Sequence, residues 1–138
     1  TDIIMMLNGA LAGLVAITAE PLTPTPILAM VIGSMGALIM YFGTKMLESF
    51  GIDDVVGAIP VHMFAGIFGT LVVPISNSDT SFGTQFVGTL SVTVFSFVLS
   101  YLVFLALKAT VGLRISKAAE KLGTDKSEIG VSAYAIRD

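Results

Sequence analysis

Through position 107 the chain carries charge at only seven places, Asp2, Glu20, Lys45, Glu48, Asp53, Asp54 and Asp79, and long apolar runs fill the gaps between them. That spacing constrains everything else. A run of about 20 apolar residues crosses a hydrocarbon core, and runs that are apolar on every face belong in lipid or inside a bundle. The fold class expected is all-α, a polytopic transmembrane helix bundle of about four membrane helices followed by a polar tail. The helices are expected near 3-19, 27-47, 55-75 and 82-111, which makes 1-111 the transmembrane region and 112-138 a cytoplasmic C-terminal tail.

The punctuation between the runs agrees with this division. Glu20-Pro21, Pro24 and Pro26 end the first run in an extended turn, because closely spaced prolines cannot continue a helix. Glu48 to Asp54 is a short polar connection, and Ser76 to Ser81 (SNSDTS) is rich in turn formers. Lys45 lies near the end of the second run, where its long stem can carry the ammonium group to the interface. The fourth run is longer than one crossing requires and is expected to tilt or project.

With 54% apolar and 12% charged residues, a soluble globule is excluded, and two Lys/Arg before residue 110 exclude nucleic acid as a partner. No cysteine is present, so neither a disulfide framework nor a thiolate metal site is available. Thr1-Asp2 leads straight into an apolar run without a basic flank or a cleavage site, which is not the pattern of a signal peptide. The numbering is therefore expected to begin inside a longer protein. Cytoplasmic ends retain Lys and Arg, and here these are Lys45 beside the 48-54 connection and Lys108, Arg114, Lys117, Lys121, Lys126 and Arg137 after the last run. The expected location is a cell (inner or plasma) membrane, multi-pass, with the C-terminus cytoplasmic.

Small residues recur at helical spacing, including Gly9 and Gly13, Ala12 and Ala16, then Gly33, Gly36, Gly66 and Gly69. They argue for close helix packing rather than for chemistry. His62 is the informative position. It lies about 10 Å along the axis from Val55 at 1.5 Å per residue, toward the middle of the bilayer. An ionisable group at that depth is expensive and marks a functional site by default. A neutral imidazole there can accept or relay a proton without holding a permanent charge. A structural histidine hydrogen-bonded to a neighbouring helix explains the same residue, and both readings stand. Asp53 and Asp54, just ahead of the third run, are expected to be helix-start acids that cap amide donors rather than a metal site, which would need further ligands. Glu20 and Asp79 are expected to be solvated. No nucleophile with a base, phosphate-cradling loop or metal cluster appears, so neither an enzyme nor a cofactor is expected.

Three separated motifs carry a resemblance: NGALAGLVAITA (Asn8 to Ala19), GIDDVVGAIPVH (Gly51 to His62) followed by GIFGTL (Gly66 to Leu71), and TVGLRIS (Thr110 to Ser116). In order and spacing they resemble the closing part of the ammonium transporter family, the Amt/Mep/Rh proteins, over its last four membrane helices. The resemblance implies ammonium or ammonia as substrate, a homotrimer with one narrow hydrophobic pore per subunit, and a pair of pore histidines at mid-membrane. His62 matches the second of that pair, and Leu11 falls where the family places an apolar pore-lining residue. The first histidine, the outer recruiting site and the aromatic gate belong to parts of the family outside this chain. The tail also resembles the family's cytoplasmic segment, with Gly112, Leu113, Arg114, Glu120, Gly123, Asp125, Gly130, Ala133 and Tyr134 on its usual positions. In the family this segment docks on the neighbouring subunit and can meet a PII-type regulatory protein. Ile129 and Val131 stand where histidine and glutamate are usual, Thr124 replaces a usual leucine, and Val55 a usual proline. The resemblance therefore implies an ammonium transporter seen from its carboxy-terminal part. An ammonium sensor that binds without useful flux, suggested by the altered tail, and an inactive fragment are the alternatives.

Overall fold

A computed structural model describes residues 2–133. Its chain is all-helical, with no strand among the described residues, and forms a helical membrane bundle. Two compact units divide it at Val94 and Phe95, a boundary that falls within one long helix.

In the first unit, α1 spans Ile3–Thr18 and starts at Asp2, whose carboxylate accepts from the Met5 amide at 3.1 Å. α2 spans Pro26–Ser49. Thr25 caps its start by accepting from the Leu28 amide at 3.3 Å, and Pro26 takes the first helical position, where a missing N–H costs nothing. Its end is a left-handed stop. Gly51, at φ 69°, lets its own amide reach the Glu48 carbonyl and the Ile52 amide reach the Leu47 carbonyl, each at 3.0 Å.

The third apolar run does not start as a helix at Val55. Residues 55 to 57 form a turn, and helical backbone then opens with a π-helical turn, Ile59–Phe64. It continues as α3, Ala65–Val72, and closes in a 3₁₀ turn, Val73–Ile75. α4 covers Phe82–Thr110 and contributes no buried residue. Among the described residues, only α2 and α4 combine the length and hydropathy of a full crossing, while α1 and the Ile59–Ile75 stretch are shorter apolar helices. At 1.5 Å per residue, the 16 residues of α1 span about 24 Å.

The core of this unit lies where α1, α2 and the third segment meet. Ala12, Met40, Val61 and Ala65 form its buried centre, with Met5 and Val15 packed on it. Small side chains make the approach possible. A Cβ added at Gly36 would lie 2.6 Å from the Ala16 Cβ and 2.7 Å from the Ala12 carbonyl oxygen, and one at Gly69 would overlap the Ala16 backbone. Close backbone contact of this kind replaces the hydrophobic drive that lipid removes.

In the second unit, α5 spans Lys117–Leu122, capped by the Ser116 hydroxyl on the Ala119 amide at 3.2 Å. A second π-helical turn, Asp125–Ile129, ends at Gly130, which has a φ of 77°.

Candidate functional site

The π-helical turn decides how His62 is presented. Pro60 stands in the first turn of this segment, where a missing amide hydrogen costs nothing. The Val61 amide donates to the Gly57 carbonyl at 3.1 Å, and the Ala65 amide is shared between the carbonyls of Pro60 and His62. Pro60 and Val61 face the core and are buried, whereas His62 and Met63 are exposed. Among the described residues no hydrogen bond uses the His62 ring, so the neighbouring-helix partner that a structural histidine calls for is not found here. Single π-type turns within α-helices occur often at functional sites. His62 is three residues from the first residue of this turn, closer to the helix start than counting from Val55 suggests.

Two anchors hold the start of the turn. The carboxylate of Asp54 accepts from the Ala58 amide at 2.9 Å with one oxygen and from the Ile59 amide at 2.8 Å with the other. Asp53 beside it is exposed. On the opposite side Asn8 of α1 donates from Nδ2 to the Val56 carbonyl at 2.9 Å. Gly57 leaves room for that amide: it has a φ of 73°, and a Cβ there would stand 2.5 Å from Asn8 Nδ2. One helical turn further along α1, Leu11 is 48% exposed beside the buried Ala12. The histidine and the leucine thus lie on packed elements, each with its side chain outside the core. No group of three or more His, Cys, Asp or Glu that could hold a metal occurs among the described residues.

The sequence profile of the Ammonium Transporter Family matches residues 1–134. The chain belongs to the ammonium transporter family. Relatives of this family are 30% to 40% identical to it over the matched part. Ammonium transporter Amt2 of Archaeoglobus fulgidus is 35% identical over 96% of this chain and 33% of its own length. Amt1 of Haloferax mediterranei is 36% identical over 96% of this chain and 27% of its own length, and Amt2 of Methanocaldococcus jannaschii 32% identical over 96% and 34%. The chain therefore spans about a third or less of the length of these curated ammonium transporter relatives.

Of the tail positions singled out in this ammonium transporter family member, Gly112 follows α4 with a φ of 82°, Leu113 and Arg114 are exposed, and Tyr134 lies outside the described residues. Arg114 pairs with Glu120 at 3.0 Å on the surface, an arrangement that contributes little to stability in water. Asp125 and Gly130 belong to one small structure. The Gly130 amide donates to the Asp125 carbonyl, and the Ala133 amide donates to Asp125 Oδ2 at 2.8 Å. The Ala133 amide, joined by the Lys126 amide, holds the Asp125 carboxyl below its ordinary value of 3.8. Ile129 and Val131, flanking Gly130, are 77% and 65% exposed.

Two features escaped the sequence reading. Asn8 lies inside a motif, but nothing in its spacing predicts that its amide reaches a carbonyl 48 positions away. Glu20 is not simply solvated, because its Oε2 accepts from Asn77 Nδ2 at 2.9 Å and its Oε1 from the Leu22 amide at 3.3 Å. The clue was a carboxylate followed by proline in one loop and an asparagine in another, a pattern too common to be read alone.

Proposed function

We propose that the protein carrying this chain moves ammonium or ammonia across a cell membrane, and that His62 and Leu11 line its pathway. The observation that carries this reading is the His62 ring, exposed and without a hydrogen-bond partner among the described residues, on a π-helical turn of an apolar bundle. An ion is expensive to bring to the bilayer centre, by about 3 kcal/mol or more. Neutral ammonia passes such a region at far lower cost if its proton is left behind or relayed. An imidazole suits both tasks, since one nitrogen donates while the other accepts. Membership of the ammonium transporter family supports ammonium as the substrate. The same reading includes assembly as a homotrimer in lipid, a cytoplasmic tail that can meet a PII-type protein, and the 48-54 connection on the cytoplasmic side with Lys45 near it.

Reconstitution of the intact protein in vesicles tests it. Saturable ammonium-dependent current is expected, and His62→Ala is expected to change the rate by on the order of tenfold or more or to weaken discrimination against potassium. Ammonium binding without current would favour a sensor instead. Unaltered current and selectivity in His62→Ala would remove His62 from the pathway.

A further inference from the structure

Two long-range side-chain bonds join α1 to the third segment, one toward each end of the helix. Asn8, in the second turn, donates to the Val56 carbonyl at 2.9 Å. At the other end Glu20, just beyond the last helical residue Thr18, accepts on Oε2 from Asn77 Nδ2 at 2.9 Å. Both partners of this second bond are aimed by their own loops. The Leu22 amide holds the Glu20 carboxylate over its turn, on Oε1 at 3.3 Å. Asn77 accepts on Oδ1 from the Asp79 amide at 2.9 Å, which leaves Nδ2 for Glu20, and its backbone amide donates to the Val73 carbonyl of the closing 3₁₀ turn at 3.0 Å. Between the same two loops Thr23 Oγ1 donates to Ser76 Oγ at 3.2 Å.

We propose that Glu20 is a positioning residue for Leu11 and His62: through Asn77 it clamps the end of α1 to the end of the third segment and so fixes the two pathway side chains relative to each other. Three observations carry it. Between the two bonds the contact is made by small residues, with Ala12, Ala16 and Ala65 buried and no room for a Cβ at Gly69 against the Ala16 backbone. Such packing is non-directional, and lipid adds no hydrophobic drive to it. Directional bonds at the ends are therefore what resist tilting and rolling of α1. The two bonds also bracket the pathway residues, since Leu11 lies between Asn8 and Glu20, and His62 between Val56 and Asn77. A helix held at one point pivots, and a helix held at two does not. Finally, Glu20 is half-buried, and hydrogen bonds to an ionised acceptor are roughly twice as strong as neutral ones. With Glu20 released, α1 is free to tilt about the Asn8 bond. Leu11 is closer to that pivot than to Glu20, so the expected loss of function is partial. The inference rests on the assignment of Leu11 and His62 to the pathway.

Exchanging donor and acceptor tests it on the intact protein in reconstituted vesicles, with current normalised to inserted protein and thermal unfolding of the same preparations measured in parallel. Glu20→Gln leaves one acceptor for the two donors of Asn77 and Leu22, and Asn77→Asp sets two carboxylates against each other. Maximal ammonium-dependent current is expected to fall about threefold in the first and further in the second, at an unchanged half-saturating concentration. The double variant has a donor at position 20 and an acceptor at position 77, and is expected to recover most of the current and of the unfolding midpoint. Wild-type current in both single variants, even with lowered midpoints, would overturn the positioning role. A double variant no better than Asn77→Asp alone would overturn the pairing. If Asn77→Asp does not accumulate, recovery of accumulation in the double variant supports the pairing, its absence overturns it, and the current of Glu20→Gln decides the positioning role. If the wild-type protein carries no ammonium current, the transport reading fails, and recovery of the midpoint in the double variant still decides whether Glu20 and Asn77 are paired.

Discussion

A single backbone angle at Gly57 separates two contributions that usually come mixed. Gly51 and Gly57 both have a left-handed φ, 69° and 73°, but a Cβ at Gly51 meets nothing within 4 Å whereas one at Gly57 meets Asn8. Gly51→Ala is therefore expected to cost only backbone strain, about 1–2 kcal/mol. Gly57→Ala adds loss of the Asn8 bond, about 1 kcal/mol more. The measurement is the unfolding midpoint of each variant in detergent; equal midpoints would mean that Asn8 yields without cost. At this scale the sequence was partly legible. His62 could be singled out because an ionisable group stands out in an apolar run. Glu20 could not be read correctly, because whether a loop carboxylate meets water or the amide of Asn77 depends on how two distant loops approach. Asn8 is polar and small, and only its partner reveals its use.

The third segment shows why elements were harder to delimit than to detect. Hydropathy is a property of side chains and remains high from Val55 onward, whereas helical backbone needs donors and acceptors in register. A helix is expected over 55 to 75, but it is delayed to Ile59 because Gly57 is left-handed and Asp54 takes the first amides. Asp54→Asn is expected to cost about 1 kcal/mol and to speed hydrogen exchange at the Ala58 and Ile59 amides. Asp53→Asn, at an exposed carboxylate, is the control and should leave both amides unchanged. The ends of α2, expected near 27 and 47 and found at Pro26 and Ser49, are set by Thr25-Pro26 and Gly51, signals with a local mechanism. A π-helical turn has no comparable signal.

For the molecule as a whole, the membrane bundle and the charged tail could be seen in the distribution of charge, while the order inside the tail could not. Asp125 collects the amides of Ala133 and Lys126 across a turn that ends at a left-handed glycine. Because its carboxyl is held below 3.8, the turn gains from the ionised form, and that gain is complete above 3.8 and disappears as pH falls through the lowered value. The carboxyl carbon shift of Asp125 followed against pH is expected to show a midpoint below 3.8, and Asp125→Asn should remove the acid dependence of the turn. A midpoint at or above 3.8 would deny that these amides favour the ionised form. The bond from Asn8 to the Val56 carbonyl also bears on chimeras between relatives. An α1 grafted without the matching third segment would leave the Val56 carbonyl or the Asn8 side-chain amide without its partner, so the two distant segments have to be exchanged together.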